Sequence, residues 1–344
     1  MDWCRRSVIS VAIEMRVFIE VKTNISNIVD IYSYAPFELY NSFPLTEHNI
    51  TYGGDSKYIR GVVEGYRRRG VDLKGMKIRF LKAQEVSERL RSSENQLLDL
   101  PAKKGLSSSA ALCVAIAGAV DLLNNKISLQ KIRTPQKLSF YANIAYMAER
   151  KILGINCGQM DQYSSAFGGI LHIDCCQEPP LIHPLKPNVD LPLVIGDTLQ
   201  TKDTPKILGW LKERFDSKEP IFMEGVEEIS NIVKEAKKEL EKEMPSREKV
   251  GELMNLNQRY LSKNLQVSGD CPISPSNLDV LVDASLKAGA LGAKLSGSGG
   301  GGTMVALCNL EDMKKVAKAI EGVGGKAYIT HVAEEGFKIE QSSE

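Results

Sequence analysis

A glycine, a leucine and three consecutive hydroxyls, Gly105-Leu106-Ser107-Ser108-Ser109, stand at the head of an almost wholly apolar run that ends at Leu123. That order suits phosphate. The first turn of a helix leaves backbone N–H groups unpaired and carries the positive end of the macrodipole, so it attracts an anion. Ser107, Ser108 and Ser109 can cap those groups or donate to phosphate oxygens, and Gly105 allows close backbone approach. A well-capped core helix would use the same residues without a ligand. A second glycine cluster, Lys294 to Gly302 (KLSGSGGGG), tips the balance toward phosphate. Its Gly297, Gly299 and Gly302 satisfy a dinucleotide GxGxxG pattern, yet the strand-like TMVALC follows where that fold requires a helix. No Walker GxxxxGKS/T occurs, which excludes an ordinary P-loop kinase. The cluster is instead expected to lay its loop, with Gly297, Gly299 and Gly300, against residues 105–109. Lys103 and Lys104 either face nucleotide phosphates or are solvated, and the sequence leaves both open.

The elements that must carry these loops follow from periodicity and caps. Residues 7–13 and 16–21 alternate as strands, and a polar, tyrosine-containing region runs from Thr23 to Tyr52. Helical spacing predicts a helix at Gly54–Arg69, then a strand at Met76–Ala83. The charged segment 83–100 reads as a surface excursion, helical in part. Thr134-Pro135 is an N-cap and N1 pair opening a helix to about Leu153, with Glu149 in its last turns. A strand, Ile170–Cys175, and a proline-rich connector to Leu191 precede a strand at 192–198 that ends in Asp197-Thr198. Gly225–Met244 has the charge pattern of a solvated helix face. Ser274-Pro275-Ser276 caps a helix to Ala288, followed by strand, glycine cluster, strand, the helix Glu311–Glu321 and a strand at 327–332.

Taken together the motifs resemble the GHMP kinase superfamily, which includes galactokinases, homoserine kinases, mevalonate kinases and phosphomevalonate kinases. Its PxxxGLxSSAA signature is matched at Pro101, Gly105, Leu106, Ser108, Ser109, Ala110 and Ala111. Cys157 to Gln162, CGQMDQ, resembles the galactokinase branch. The resemblance covers Asp2 to about Ile339. It implies an α+β fold of two domains, with 1–190 like the second domain of ribosomal protein S5 and 191–344 ferredoxin-like, ATP and acceptor meeting between them. It implies that Asp161 takes the acceptor's hydroxyl proton, and that Glu149 with Ser108 holds Mg²⁺. The nucleotide would be bound by Pro101, Lys104, Gly105, Leu106, Ser107, Ser108, Ser109, Ala110, Gly297, Gly299 and Gly300, and the acceptor by Asp2, Cys157, Gly158, Asp161 and Asp197. Without the motif, Glu149 would read as a surface ion pair with Arg150 or Lys151, and Asp161 as a helix cap.

The implied activity is ATP-dependent phosphorylation of a sugar's anomeric hydroxyl, with galactose, galacturonate or arabinose as acceptor. Asn156 stands where galactokinases carry proline. MNLNQRYL and GAKLSGSGGGG resemble mevalonate kinase, the enzymatic alternative. A non-catalytic sugar and ATP sensor is the reading of another class. Asp2-Trp3 falls where the family's first motif has Asp-Tyr, and the upstream Pro-Gly-Arg and Glu-His are absent. We expect a start called too late rather than a protein that works without them.

Composition bounds the rest. At 344 residues the chain has room for about two domains. Forty-four basic and 43 acidic residues leave a net charge of +1, no footprint for nucleic acid or anionic membrane. Seven cysteines without a CxxC and four histidines without HExxH make a poor disulfide framework and a poor zinc site. Glu14 and Arg16 interrupt the N-terminal apolar stretch, so it is not a signal peptide. No run reaches the roughly 18 apolar residues of a membrane span. A cytoplasmic monomer or homodimer binding ATP and a small molecule is expected.

Overall fold

The computed structural model describes residues 1–35, 38–46, 54, 56–90, 97–102, 104–125, 128–266 and 272–340. Lys103 and residues 91–96 of the charged segment lie outside the described residues. Strands β1 (Val8–Val11), β2 (Phe18–Asn24), β3 (Ile28–Tyr32) and β4 (Leu39–Pro44) open the chain, then helix α1 (Lys57–Arg67), β5 (Gly75–Leu81) and α2 (Ala83–Leu90). α3 (Ser108–Asn125), α4 (Pro135–Tyr146), a π-helical turn at Met147–Ile152 and α5 (Met160–Phe167) follow, with β6 (Ile170–Asp174) and β7 (Leu181–Leu185). The remainder is β8 (Leu193–Asp197), α6 (Thr204–Asp216), α7 (Pro220–Leu240), α8 (Arg247–Lys263), α9 (Ser276–Lys287), β9 (Gly292–Leu295), β10 (Thr303–Leu307), α10 (Met313–Gly322) and β11 (Lys326–Thr330).

These strands form three sheets, ordered β2-β5-β3-β4, β1-β6-β7 and β11-β8-β10-β9, and only the β3–β5 pair is parallel among the described pairings. α3 is apolar almost all round, and a helix with that pattern has to be enclosed. Cys113, Val114, Ile116, Ala117 and Val120 are accordingly buried, against Ile59, Val62, Val63 and Tyr66 of α1 and the inner face of the first sheet. The Tyr66 hydroxyl donates to Ala117 O at 2.7 Å, satisfying the buried phenol. A second core joins α6, α7, α9 and α10 to one face of the β11-β8-β10-β9 sheet. A third, smaller one, with Ile170, Leu185, Leu193, Leu240 and Leu307, is a seam between that sheet's other face and β6-β7.

Several elements differ from the sequence expectation. The polar region contains β3 and β4, whose buried side chains Val29, Ile31 and Phe43 alternate with polar residues over too short a run to stand out. β7 lies in the proline-rich connector, α7 begins at Pro220 rather than Gly225, and α6 and α8 fall in unassigned chain. α8 buries only Gly251, Leu253 and Gln258, so it has almost no apolar stripe to read.

The end of the described chain does not stay with the C-terminal half. Glu14 N–H donates to His331 O and Ala333 N–H to Ala12 O, while Arg16 holds the carbonyls of Glu335 and Gly336 at 2.8 and 2.7 Å. Phe337 belongs to the first core, where its ring lies directly over Gly118 of α3. A Cβ at Gly118 would run into that ring. Gly118→Ala is therefore expected to destabilise by about 1–3 kcal/mol through overpacking, despite alanine's better helix propensity. Thermal unfolding of the variant, and its rescue by Phe337→Leu, checks this. Among the described residues no helix is long and apolar enough to cross a membrane.

Candidate active site

The start of α3, the turn before α5 and the loop after β8 converge on one cleft of about 3160 Å³. A single-ligand pocket occupies up to about 1,000 Å³, so two ligands fit. Ser107 leads into α3 with φ of 61°, a left-handed conformation that costs a non-glycine residue about 1–2 kcal/mol. Its carbonyl accepts from Ala111 N–H at 2.9 Å, and its hydroxyl bonds the Asp161 carboxylate. Two interactions therefore hold the strained residue at the helix entrance.

Asp161 sits in the first turn of α5, lining the cleft. Loss of water around it, then the charge of Asp2, pushes its carboxyl above the ordinary range. The Ser107 hydroxyl and the Lys202 ammonium pull the other way. Glu149 is carried on the π-helical turn, a local widening that recurs at functional sites. It is only 3% exposed, and burial pushes its carboxyl up to about 7, against hydrogen bonds from Gln162 (2.5 Å) and Ser109. The hydroxyl brought to Glu149 is thus that of Ser109, where the sequence suggested Ser108. Gln162 Oε1, buried beside it, has no hydrogen-bond partner.

The acceptor candidates divide. Asp2 Oδ2 accepts from Met160 N–H at 3.1 Å, and its carboxylate presses on Gly158, where any Cβ would collide with it. Cys157 lies in the same turn, its thiol pushed up by burial and then by Glu149, Asp161 and Asp2. Asp197, expected at the acceptor, is 1% exposed and already engaged: Oδ1 accepts from Leu199 N–H at 2.8 Å and Oδ2 faces Lys104 Nζ at 3.4 Å. It braces the loop at Lys104. Lys104, the nucleotide candidate, is the other half of that brace.

The glycine cluster also divides. Gly297 faces Gly105 O and Gly302 faces Lys104 O, so these two meet the 105–109 loop. Gly299 and Gly300 pack on Ile273 and Ile207 instead, with Gly300 N–H donating to Ile273 O at 2.6 Å. Pro101, Leu106 and Ala110 shape the loop and the start of α3, Ala110 at 1% exposure. Sequence reasoning missed Lys202. Its Nζ occupies the space beside Gly105 and Gly297 and touches Ser298 Oγ at 3.3 Å, while its stem lies against Gly302. Burial lowers its ammonium while Asp161 raises it, which puts one cation between both glycine loops and the carboxylate.

Residues 57–169 match the GHMP kinases N terminal domain and residues 227–326 match GHMP kinases C terminal. A mevalonate kinase of Pyrococcus horikoshii is 33% identical over 267 residues, covering 76% of this chain and 73% of the relative. The chain belongs to the GHMP kinases. It is a phosphotransferase with an alcohol group as acceptor, and GHMP kinases use ATP as cosubstrate. A galactokinase of Chloroflexus aurantiacus is 26% identical over 295 residues, 77% of this chain and 69% of that one. Among solved structures, Lactococcus lactis galactokinase complexed with galactose superposes with TM-score 0.75 at 20% identity, covering 97% of this chain and 90% of that one. Methanococcus jannaschii mevalonate kinase gives 0.73 at 23%, covering 96% and 93%. At such identities the superpositions speak for the fold alone, the two-domain α+β GHMP fold. A sugar 1-kinase, expected from CGQMDQ, has the weaker sequence support of the two activities.

Proposed function

We propose that this GHMP kinase is of the mevalonate kinase type and transfers the γ-phosphate of ATP to a hydroxyl of a small hydroxy acid. One observation carries the reading: mevalonate kinases reach 32–33% identity over about three quarters of the chain, while the galactokinase lies at 26%. CGQMDQ keeps a sugar kinase as the second reading.

Phosphoryl transfer asks the protein mainly for in-line positioning and charge neutralisation. The α3 N-terminus with Ser107–Ser109 would receive the phosphates, and Gly105 would let the backbone close on them. Asp161, at the edge of that loop, would take the acceptor's proton, and Lys202 would offset charge on the transferring group. Glu149 is a desolvated carboxylate beside an unpaired amide oxygen and a hydroxyl, an all-oxygen donor set that fits Mg²⁺. Mg²⁺ held by Glu149 and a serine hydroxyl would supply charge neutralisation at the phosphates.

ADP release with Mg-ATP, on mevalonate, galactose, galacturonate, glucuronate, arabinose and N-acetylgalactosamine, tests the assignment. Turnover of mevalonate above every sugar is expected. Preference for a neutral sugar would overturn it.

A further inference from the structure

Lys294 has no part in the chemistry described above, yet it is a cation placed inside the cleft. It lies on β9 opposite Val305 of β10, which in turn lies opposite Ile195 of β8, so the three share one sheet face. That face is turned away from α9 and α10. Lys294, Ile195 and Val305 line the cleft together with Met254, Asn257 and Leu261 of α8. Ile195, Val305, Met254 and Leu261 are apolar, and Asn257 supplies an amide. Lys294 Nζ donates to Leu295 O at 2.7 Å, and among the described residues no carboxylate forms an ion pair with it. From α8, α9 and β10 alike, no charged group acts on its proton affinity: loss of water alone lowers it, to about 8.

A buried ammonium is costly unless an anion or a full set of acceptors meets it. A single carbonyl meets it here. Lys294 is three residues from Gly297, so along an extended chain its Cα lies within about 10 Å of that glycine, whose backbone abuts Gly105 O. Asp161 and Lys294 both line the one cleft, where an acceptor with its hydroxyl at Asp161 would lie. The nucleotide's own charge faces a different set of groups, the α3 N-terminus and Lys202.

We propose that Lys294 binds the carboxylate of the phosphate acceptor and thereby selects a hydroxy acid over a neutral polyol. The inference rests on the acceptor cleft assigned above and names the group that distinguishes its substrates.

The test compares two matched pairs, mevalonate with 3-methylpentane-1,3,5-triol and galacturonate with galactose, in the full chain and in Lys294→Met and Lys294→Arg. A charged hydrogen bond lost from a desolvated site corresponds to about a 10- to 100-fold rise in KM. Lys294→Met is expected to show that rise for the preferred acid only, with KM for ATP and for the neutral partner unchanged. In the wild type, KM for the acid rises as pH increases through about 8, where the empty-site ammonium loses its proton. Lys294→Arg stays charged there and gives a flat profile.

An unchanged KM for the acid in Lys294→Met overturns the proposal, as does an equal loss for ATP and acid. If Lys294→Met does not fold, the arginine profile decides: a persisting rise near pH 8 overturns it. Preference for galacturonate that depends on Lys294, without turnover of mevalonate, supports the proposal and defeats the mevalonate reading. Preference for the neutral partner in both pairs defeats both.

Discussion

Asp161→Asn lowers kcat by about 10²- to 10⁴-fold, the usual contribution of a positioned general base, while ATP affinity and the unfolding midpoint stay close to wild type. The substitution preserves the shape of the side chain and its acceptor oxygen for the Ser107 hydroxyl, so the left-handed entrance to α3 is retained. What disappears is the negative charge that can take a proton. Because the carboxylate is crowded by Asp2 and desolvated, neutralising it relieves the fold rather than straining it. Steady-state ADP release together with calorimetric ATP binding measures the split. A kcat unchanged in the variant would remove Asp161 from the chemistry.

Lys202→Met is the second large effect, a fall of about 10²- to 10³-fold in kcat, comparable to removing one preorganised group from an oxyanion site. The ammonium is the element that reaches Gly105, Ser298 and Asp161 together, in a slot too dry for solvent to replace it cheaply. Lys202→Arg restores little, because the Lys202 stem and ammonium already lie in contact range of Gly105 and Gly302 and a planar guanidinium is bulkier than the ammonium it replaces. A diagnostic readout separates this role from a structural one. Lys202 lowers the proton affinity of Asp161, so without it that carboxyl ionises at higher pH. The acidic limb of the kcat/KM profile then moves toward neutrality, and an unmoved limb would contradict the contact.

The phosphate loop was legible because its information is local: a positive-φ glycine, hydroxyls and an apolar helix adjoin in the chain. The family signature was legible for the same reason, and so was the place of Asp161 beside that loop. Lys202 was not, since TKDTPK reads as an ordinary approach to the Asp203 N-cap of α6, and nothing nearby signals that its stem lies on Gly105. Asp197 illustrates the converse: its position suggested an acceptor contact, but side-chain geometry engages it with Lys104. The choice of Ser109 over Ser108 at Glu149 depends on helical phase and the widened turn at Met147–Ile152, which the alternation of residue types does not encode. CGQMDQ placed a sugar ahead of the mevalonate kinase alternative on the strength of six residues, whereas identity spread over most of the chain favours that alternative.

The strap from His331 to Phe337 gives synthesis a direction-dependent problem. The first core contains α3, complete once residue 125 is made, yet the ring that closes over Gly118 is supplied more than two hundred residues later. A nascent N-terminal half must therefore wait with that apolar surface uncovered until residue 337 has been made. Long-range closure of this kind slows folding and exposes intermediates to aggregation. Chaperone demand should thus fall on the interval between the synthesis of α3 and that of residues 331–337.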